Sequence, residues 1–235
     1  MKIVEAFSKF AYEYNNYNVI QKEVAKRLTL YLSRDRYDTI LDLGSGSGEL
    51  YKNIIEKEIV FKRFVALDFS EAMLKLHPSS KYVTKICFDF NNPNLLSVLN
   101  NDRFDVVLSS SAMQWSKNLK ELLGSLVGLS SEYYFSFFTS NTFKTLHKIV
   151  NITSPIYKKE EIVEAVDSFF IYELEVKEYR LNFDSVHEML RYIKKSGVGG
   201  GVEQLSYRQM KRLMVEYPLN YLEFEVVFIK VIREK

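Results

Sequence analysis

The chain has 235 residues, 47% of them hydrophobic, with 32 Lys and Arg against 30 Asp and Glu. A net charge of +2 excludes a protein that works mainly by electrostatic attraction to nucleic acid, and a single cysteine excludes a disulfide framework. With no run of about 18 apolar residues and no leader pattern at Met1-Lys2-Ile3-Val4, no membrane partner is expected and cytoplasm is the expected compartment.

Alternation and apolar runs predict strands near 38–43, 63–68, 83–88, 104–109, 132–139, 170–182 and 223–232, with helices between most of them. The first ends in Ile40-Leu41-Asp42-Leu43-Gly44-Ser45-Gly46-Ser47-Gly48, an apolar strand running into alternating glycines. Glycine tolerates positive φ, so such a turn can bring peptide N–H groups to a ligand. The dinucleotide fingerprint needs a third glycine where this chain has Glu49, and an acid there disfavours a pyrophosphate at the helix start. A cofactor without phosphate fits better; a tight turn with no ligand is the other reading. LDLGSGSGEL resembles the first motif of class I S-adenosylmethionine-dependent methyltransferases. The resemblance implies cofactor contacts from Asp42, Gly44, Ser45, Gly46 and Gly48.

The second strand ends at Asp68, 24 residues after Gly44. A carboxylate there can accept from ribose hydroxyls, or it can cap the following helix. Asp68-Phe69-Ser70-Glu71-Ala72-Met73-Leu74 resembles the family's D-x-S-x-x-M-L, which adds Phe69 and Met73 to the cofactor set, while Ser70 can serve as a helix cap. The third strand ends in Asp89-Phe90, which in the family face the adenine, and the fourth reaches Ser109 at the sheet edge where ligands bind in open α/β sheets. Cys87 reads as a small core residue on that third strand. His77, His147 and His187 lack metal-ligand spacing, so no metal is expected.

With no linker, 1–235 reads as a single domain, with 1–36 as an N-terminal helical cap. A helix is expected over 158–167, and the stretch 183–217 is too long for an ordinary connection, so it is expected to form a helical lid. The implied fold is α/β: a Rossmann-like, seven-stranded, mostly parallel sheet with the last strand antiparallel, plus the N-terminal helix and the lid.

Phrases outside the cofactor half resemble the malonyl-acyl-carrier-protein O-methyltransferases of biotin synthesis. They are the aromatic opening from Phe7 through Tyr14 to Gln21, Ser110-Ser111-Ala112-Met113-Gln114-Trp115, Phe137-Phe138-Thr139 followed by Leu146-His147, and Tyr217-Pro218-Leu219-Asn220-Tyr221. The chain departs from that family at Asn15, at Tyr157-Lys158-Lys159 and at the Gly197–Gly201 cluster. The resemblance implies transfer of a methyl group to the free carboxylate of malonyl-acyl carrier protein or malonyl-coenzyme A, by a monomer. Such an acceptor is already ionised, so no catalytic side chain is expected and the protein's work is alignment and exclusion of water. Tyr14, Gln114, Trp115 and Arg191 are the candidate substrate donors, Arg191 also reading as a solvated helix position. Between Met189 and Val215 six basic residues face Glu203 alone, either a docking surface for an acidic carrier protein or ordinary helix surface. Methylation of another small acid or metabolite, of RNA, and cofactor binding without transfer are the alternatives.

Overall fold

A computed structural model describes residues 17–196 and 205–235, with backbone alone at 194–196. Tyr14, most of the aromatic opening and the Gly197–Gly201 cluster lie outside the described residues. The strands are β1 (Arg36–Leu43), β2 (Val60–Asp68), β3 (Val83–Cys87), β4 (Val106–Ser110), β5 (Tyr133–Phe138), β6 (Phe170–Asn182) and β7 (Tyr221–Glu234). They form one sheet in the order β3-β2-β1-β4-β5-β7-β6. The first five run parallel, and β7 is antiparallel to both β5 and β6. The expected seven strands and antiparallel last strand are therefore observed.

Side-chain alternation sorts the sheet into two faces. Ile40, Phe64, Ala66, Val106 and Phe138 join one buried cluster, and their neighbours Leu41, Val65, Leu67, Val107 and Phe137 join the other. Both faces are covered, which is why the central strands read as continuous apolar runs rather than alternating ones. The first cluster packs under helices α1 (Val19–Thr29) and α2 (Glu49–Glu56), through Val24, Leu28, Leu50 and Ile54. Helix α3 (Glu71–Leu76) follows β2, and a short helix α4 (Leu95–Val98) follows β3. Helix α5 (Leu119–Leu126) covers the second face, helix α6 (Lys144–Val150) follows β5 on the first, and helix α7 (Lys159–Asp167) spans the predicted 158–167 helix on the second.

The edges explain one correction. Cys87 is exposed, its Sγ 3.6 Å from the Phe69 carbonyl, because β3 is the outer strand and its side chains are only partly covered. Its apolar neighbours suggested a core position that an edge strand does not provide. The opposite edge, β6, carries charges that suit an outer strand: Glu173 pairs with Lys230, and Glu175 binds Arg27 and Tyr31 of the α1 region.

The stretch 183–217 contributes helices α8 (Val186–Ser196) and α9 (Tyr207–Glu216). Met189, Tyr192 and Ile193 of α8 are buried, with Tyr192 ring-to-ring on Phe183 at 5.3 Å and on Tyr17 at 6.2 Å. Ser206 and Gln209 form a reciprocal cap at the start of α9, and Gln209 also donates to the Val150 carbonyl at the end of α6. Among the described residues no helix is long and apolar enough to cross a membrane.

Candidate functional site

Strand order reverses between β1 and β4, where one arm of the sheet runs to β2 and the other to β5, so a crevice opens beyond the carboxyl ends of β1 and β4. The loop after β1 forms its floor. Gly44, Gly46 and Gly48 all have positive φ, at 74°, 53° and 85°. A Cβ at Gly44 would stand 2.2 Å from the Ala112 Cβ, so the loop after β4 closes onto this loop only because the side chain is missing. Gly44 N–H and Ser45 N–H both donate to the Leu67 carbonyl, at 2.8 and 3.0 Å, tying the loop to β2.

Asp68 continues that tie. Its Oδ2 accepts from Gly46 N–H at 2.9 Å and its Oδ1 from Ser70 N–H at 2.8 Å. Ser70, not Asp68, is the N-cap of α3, accepting from Met73 N–H at 3.3 Å. The helix-cap reading of Asp68 is thereby removed, and its carboxylate faces the cavity. Burial pushes its pKa up to about 6, against the opposing pull of the Ser70 and Gly46 N–H groups.

The cavity is lined by Asp42, the Gly44–Ser47 loop, Asp68, Phe69, Met73, Phe90, Ser110, Ser111, Ala112 and Trp115, and α1 adds Gln21 and Ala25. Three polar groups of its lining residues are buried without a hydrogen-bond partner among the described residues: the Asp42 carboxylate, Ser45 Oγ and Ser111 Oγ. Burial first, and Asp68 second, hold Asp42 well above the usual carboxylate range. A buried carboxylate with no partner is costly, and a ligand with a cationic end relieves it. Hydroxyls beside it and an apolar section of Phe69, Met73 and Phe90 complete a surface that can hold an amino-acid group, a ribose and a base.

Several expected residues stand elsewhere. Ser109 Oγ donates to the Leu43 carbonyl at 2.8 Å beneath the cavity, and the neighbouring Ser110 and Ser111 line it instead. Asp89 is not among the lining residues; its Oδ1 accepts from Asn91 N–H and Asn91 Nδ2, while Asn91 Oδ1 accepts from Lys117 N–H. Gly48 starts α2, where a Cβ would meet His77 and Pro78 at 2.8 Å. Arg191 is exposed and lines neither cavity described here, because the buried stripe of α8 is Met189, Tyr192 and Ile193 and leaves Arg191 on the other side. The described residues of 183–217 likewise line neither cavity.

A second cavity of about 620 Å³ adjoins the first and shares Trp115 with it. Its walls come from the loop after β4, Gln114 to Lys117, and from the segment after β5, which includes Lys144, His147 and Ile152–Lys158. Tyr157 joins the two walls: its hydroxyl donates to the Ser116 carbonyl at 2.8 Å and accepts from Leu119 N–H at 3.2 Å. Each wall is also anchored by a non-glycine residue at positive φ, Ser111 at 57° and Phe143 at 61°. Such strain persists where surrounding contacts over-determine the backbone. Phe143 has those contacts, with N–H bonded to the Glu223 carbonyl at 2.8 Å and its ring 5.0 Å from Phe224.

His147, one turn into α6, is the group that sequence reasoning undervalued. It is buried, neither ring nitrogen has a partner among the described residues, and burial lowers its pKa. Its place in the cavity that Trp115 also lines depends on the Phe143 turn, which no local pattern announces.

Residues 41–131 match the family model of the methyltransferase domain. The chain is 26% identical to a malonyl-[acyl-carrier protein] O-methyltransferase of Calditerrivibrio nitroreducens, covering 93% of this chain and 87% of that one. It is 28% identical to the protein of the same name from Bacillus anthracis, over 88% of this chain and 83% of the other. Among solved structures, the plantazolicin methyltransferase BpumL in complex with SAH superposes with a TM-score of 0.54 at 15% identity, over 96% of this chain and 93% of that one. The sheet order, the glycine loop and these similarities together show an S-adenosylmethionine-dependent methyltransferase with a Rossmann-like fold, similar in sequence to the malonyl-[acyl-carrier protein] O-methyltransferases.

Proposed function

We propose that the chain methylates the free carboxylate of a malonyl group held as a thioester on acyl carrier protein or coenzyme A, a protected precursor for biotin synthesis. The observation that carries this reading is the junction at Trp115 of a cavity with an unpartnered acid and a second cavity whose lining includes three lysines. The names of the similar proteins point to the same acceptor.

When bound, S-adenosylmethionine supplies a methyl group made electrophilic by its sulfonium. Asp42 would receive the cofactor's ammonium, Ser45 Oγ its carboxylate and Asp68 its ribose hydroxyls, with Phe69, Met73 and Phe90 beside the base, while the N–H groups of Gly44, Ser45 and Gly46 hold the loop in shape. Gly48, Asp89 and Ser109 act at one remove, shaping the loop and the strand ends rather than lining the cavity. In the second cavity the single acid, Glu161, is turned onto its own helix start, accepting from Lys158 N–H at 2.6 Å. Among the described residues no other carboxylate lines it, and a malonyl carboxylate at pH 7 needs no base. Trp115 orients the acceptor and excludes water, His147 offers an N–H, and the lysines draw in an anion.

His147 also favours a second reading. A neutral buried imidazole can take a proton, so a hydroxyl-bearing metabolite is the alternative acceptor. The test is turnover of labelled S-adenosylmethionine with malonyl-carrier protein, malonyl-coenzyme A, free malonate and hydroxy acids side by side. A base-labile methyl ester on a malonyl thioester is the expected result; product on hydroxy acids alone supports the second reading.

A further inference from the structure

Helix α1 walls the cofactor cavity with Gln21 and Ala25, one turn apart. Its buried stripe of Ile20, Val24 and Leu28 presses it onto the sheet across β4 and β5. Apolar contact has no direction. It fixes how deep the helix lies and leaves its roll, and its slide along the sheet, to directional bonds.

Charged bonds hold the C-terminal end of α1. Lys57 Nζ donates to the Thr29 carbonyl at 2.8 Å on one side. On the other stands Glu175 of β6, the third strand beyond β4 in the sheet. Arg27 Nε donates to Glu175 Oε2 at 3.1 Å, Arg27 Nη2 donates to Oε1, and the Tyr31 hydroxyl donates to Oε2 as well. Arg27 and Tyr31 are four residues apart, so they leave the chain on one side and reach the same carboxylate. Phe228, the cross-strand partner of Glu175, floors the contact, its ring centre 5.7 Å from the Arg27 guanidinium and 6.1 Å from the Tyr31 ring. Burial pushes the Glu175 pKa up, and the bonds from Arg27 and Tyr31 outweigh it and hold the carboxylate below its usual range. An isolated surface ion pair contributes little, but a two-pronged Arg–carboxylate contact with a third donor has one preferred geometry.

We infer that Glu175 is a positioning residue for the cofactor. By clasping Arg27 and Tyr31 it sets the roll of α1, and with it the wall that Gln21 and Ala25 present to S-adenosylmethionine. Glu175 lines neither cavity, so it acts through the helix alone. The inference concerns the cofactor and holds whichever acceptor is methylated.

Trp115, the one tryptophan of the chain, lines the cofactor cavity and reports its occupancy by SAH without turnover. The test is an SAH titration of the full chain, following tryptophan emission, in the wild type, Glu175→Ala, Glu175→Gln, Arg27→Ala and the double variant R27A/E175A. Glu175→Ala should raise the Kd about three- to tenfold, and Glu175→Gln, which keeps an acceptor in place, should raise it less. The double variant should bind no more weakly than the weaker single variant, since both changes remove one shared contact. Asp102→Ala measures a purely structural loss. It breaks the ion pair of Arg63 with Asp102, which has similar exposure and belongs neither to α1 nor to either cavity lining. Its SAH Kd should stay within about twofold of the wild type. With any acceptor that turns over, Glu175→Ala should raise KM for S-adenosylmethionine and leave kcat within about twofold. A Glu175→Ala Kd within about twofold of the wild type, additive losses in the double variant, an equal loss in Asp102→Ala, or a fall in kcat with KM unchanged overturns the inference. Urea midpoints establish that each variant is folded, and Glu175→Gln with Arg27→Ala decides on the same terms if Glu175→Ala is not.

Discussion

Asp42 and Asp68 face one cavity from neighbouring parallel strands, yet Asp68 has both oxygens bonded by backbone N–H groups and Asp42 has neither bonded within the described residues. One carboxylate is structural as well as exposed to ligand; the other is held in reserve. Asp68 adds to the cost that burial already sets on charging Asp42, so the cavity favours a ligand that brings positive charge.

Cofactor affinity should depend on pH through Asp68. Its folded pKa is raised from 3.8 to about 6, so the folded protein binds the extra proton between those values. This group's contribution to stability is complete below 3.8 and is lost as pH rises through about 6. A ligand that bonds the ionised carboxylate must release that proton, so affinity for S-adenosylmethionine should strengthen as pH rises from 5 to 7.5 (roughly tenfold per pKa unit of proton release at most). Calorimetry in buffers of different ionisation enthalpy measures the release, and Asp68→Asn should flatten the profile. A pH-independent Kd in the wild type would falsify this role.

Glycine substitutions separate backbone conformation from crowding. Gly128 has φ of 82° and nothing within 4 Å of where a Cβ would stand, so Gly128→Ala should cost about 1 to 2 kcal/mol, the left-handed penalty alone. Gly44→Ala adds a 2.2 Å overlap with Ala112 and should lose cofactor binding as well as stability beyond that amount. Denaturant melts and SAH titrations of both variants compare the two effects, and equal losses would contradict the packing described for the loop.

His147 distinguishes the two acceptor readings. His147→Gln keeps an N–H donor and removes the base. With a carboxylate acceptor kcat should fall less than about fivefold, whereas with a hydroxyl acceptor it should fall by about 10² to 10⁴, the usual contribution of a general base. The lowered pKa of His147 also means that the unfolded chain takes up its proton first. Stability should therefore decline as pH falls through 6.5 in the wild type and less so in the Gln variant, which urea midpoints at pH 7.5 and 5.5 can compare.

Arg191 provides the converse experiment. Because it is exposed and outside both cavities, Arg191→Ala should alter kcat/KM for malonyl-coenzyme A by less than about twofold. A loss of tenfold or more would return this side chain to the acceptor site.

The amino-acid sequence by itself determined the strands and the position of the cofactor cavity. The apolar runs at Ile40–Leu43, Phe64–Leu67 and Val106–Leu108 need burial on both faces, and alternating glycines after the first can only follow a strand that delivers a turn. The position of Asp68 at the cavity was legible for the same reason, since it ends the strand that pairs in parallel with β1. Tertiary structure decided what depends on neighbours distant in sequence. Cys87 was misread because nothing local marks β3 as an edge, and the exposure of Arg191 was not legible because basic composition does not say which side of α8 is buried. Ser109 and Asp89 sit at the correct strand ends, but they bond Leu43 and Asn91 and are not among the residues that line the cavity. The second cavity is assembled from the Ser111 and Phe143 turns, two strained backbones held in place by contacts across the sheet, and strain of that origin leaves no pattern in sequence.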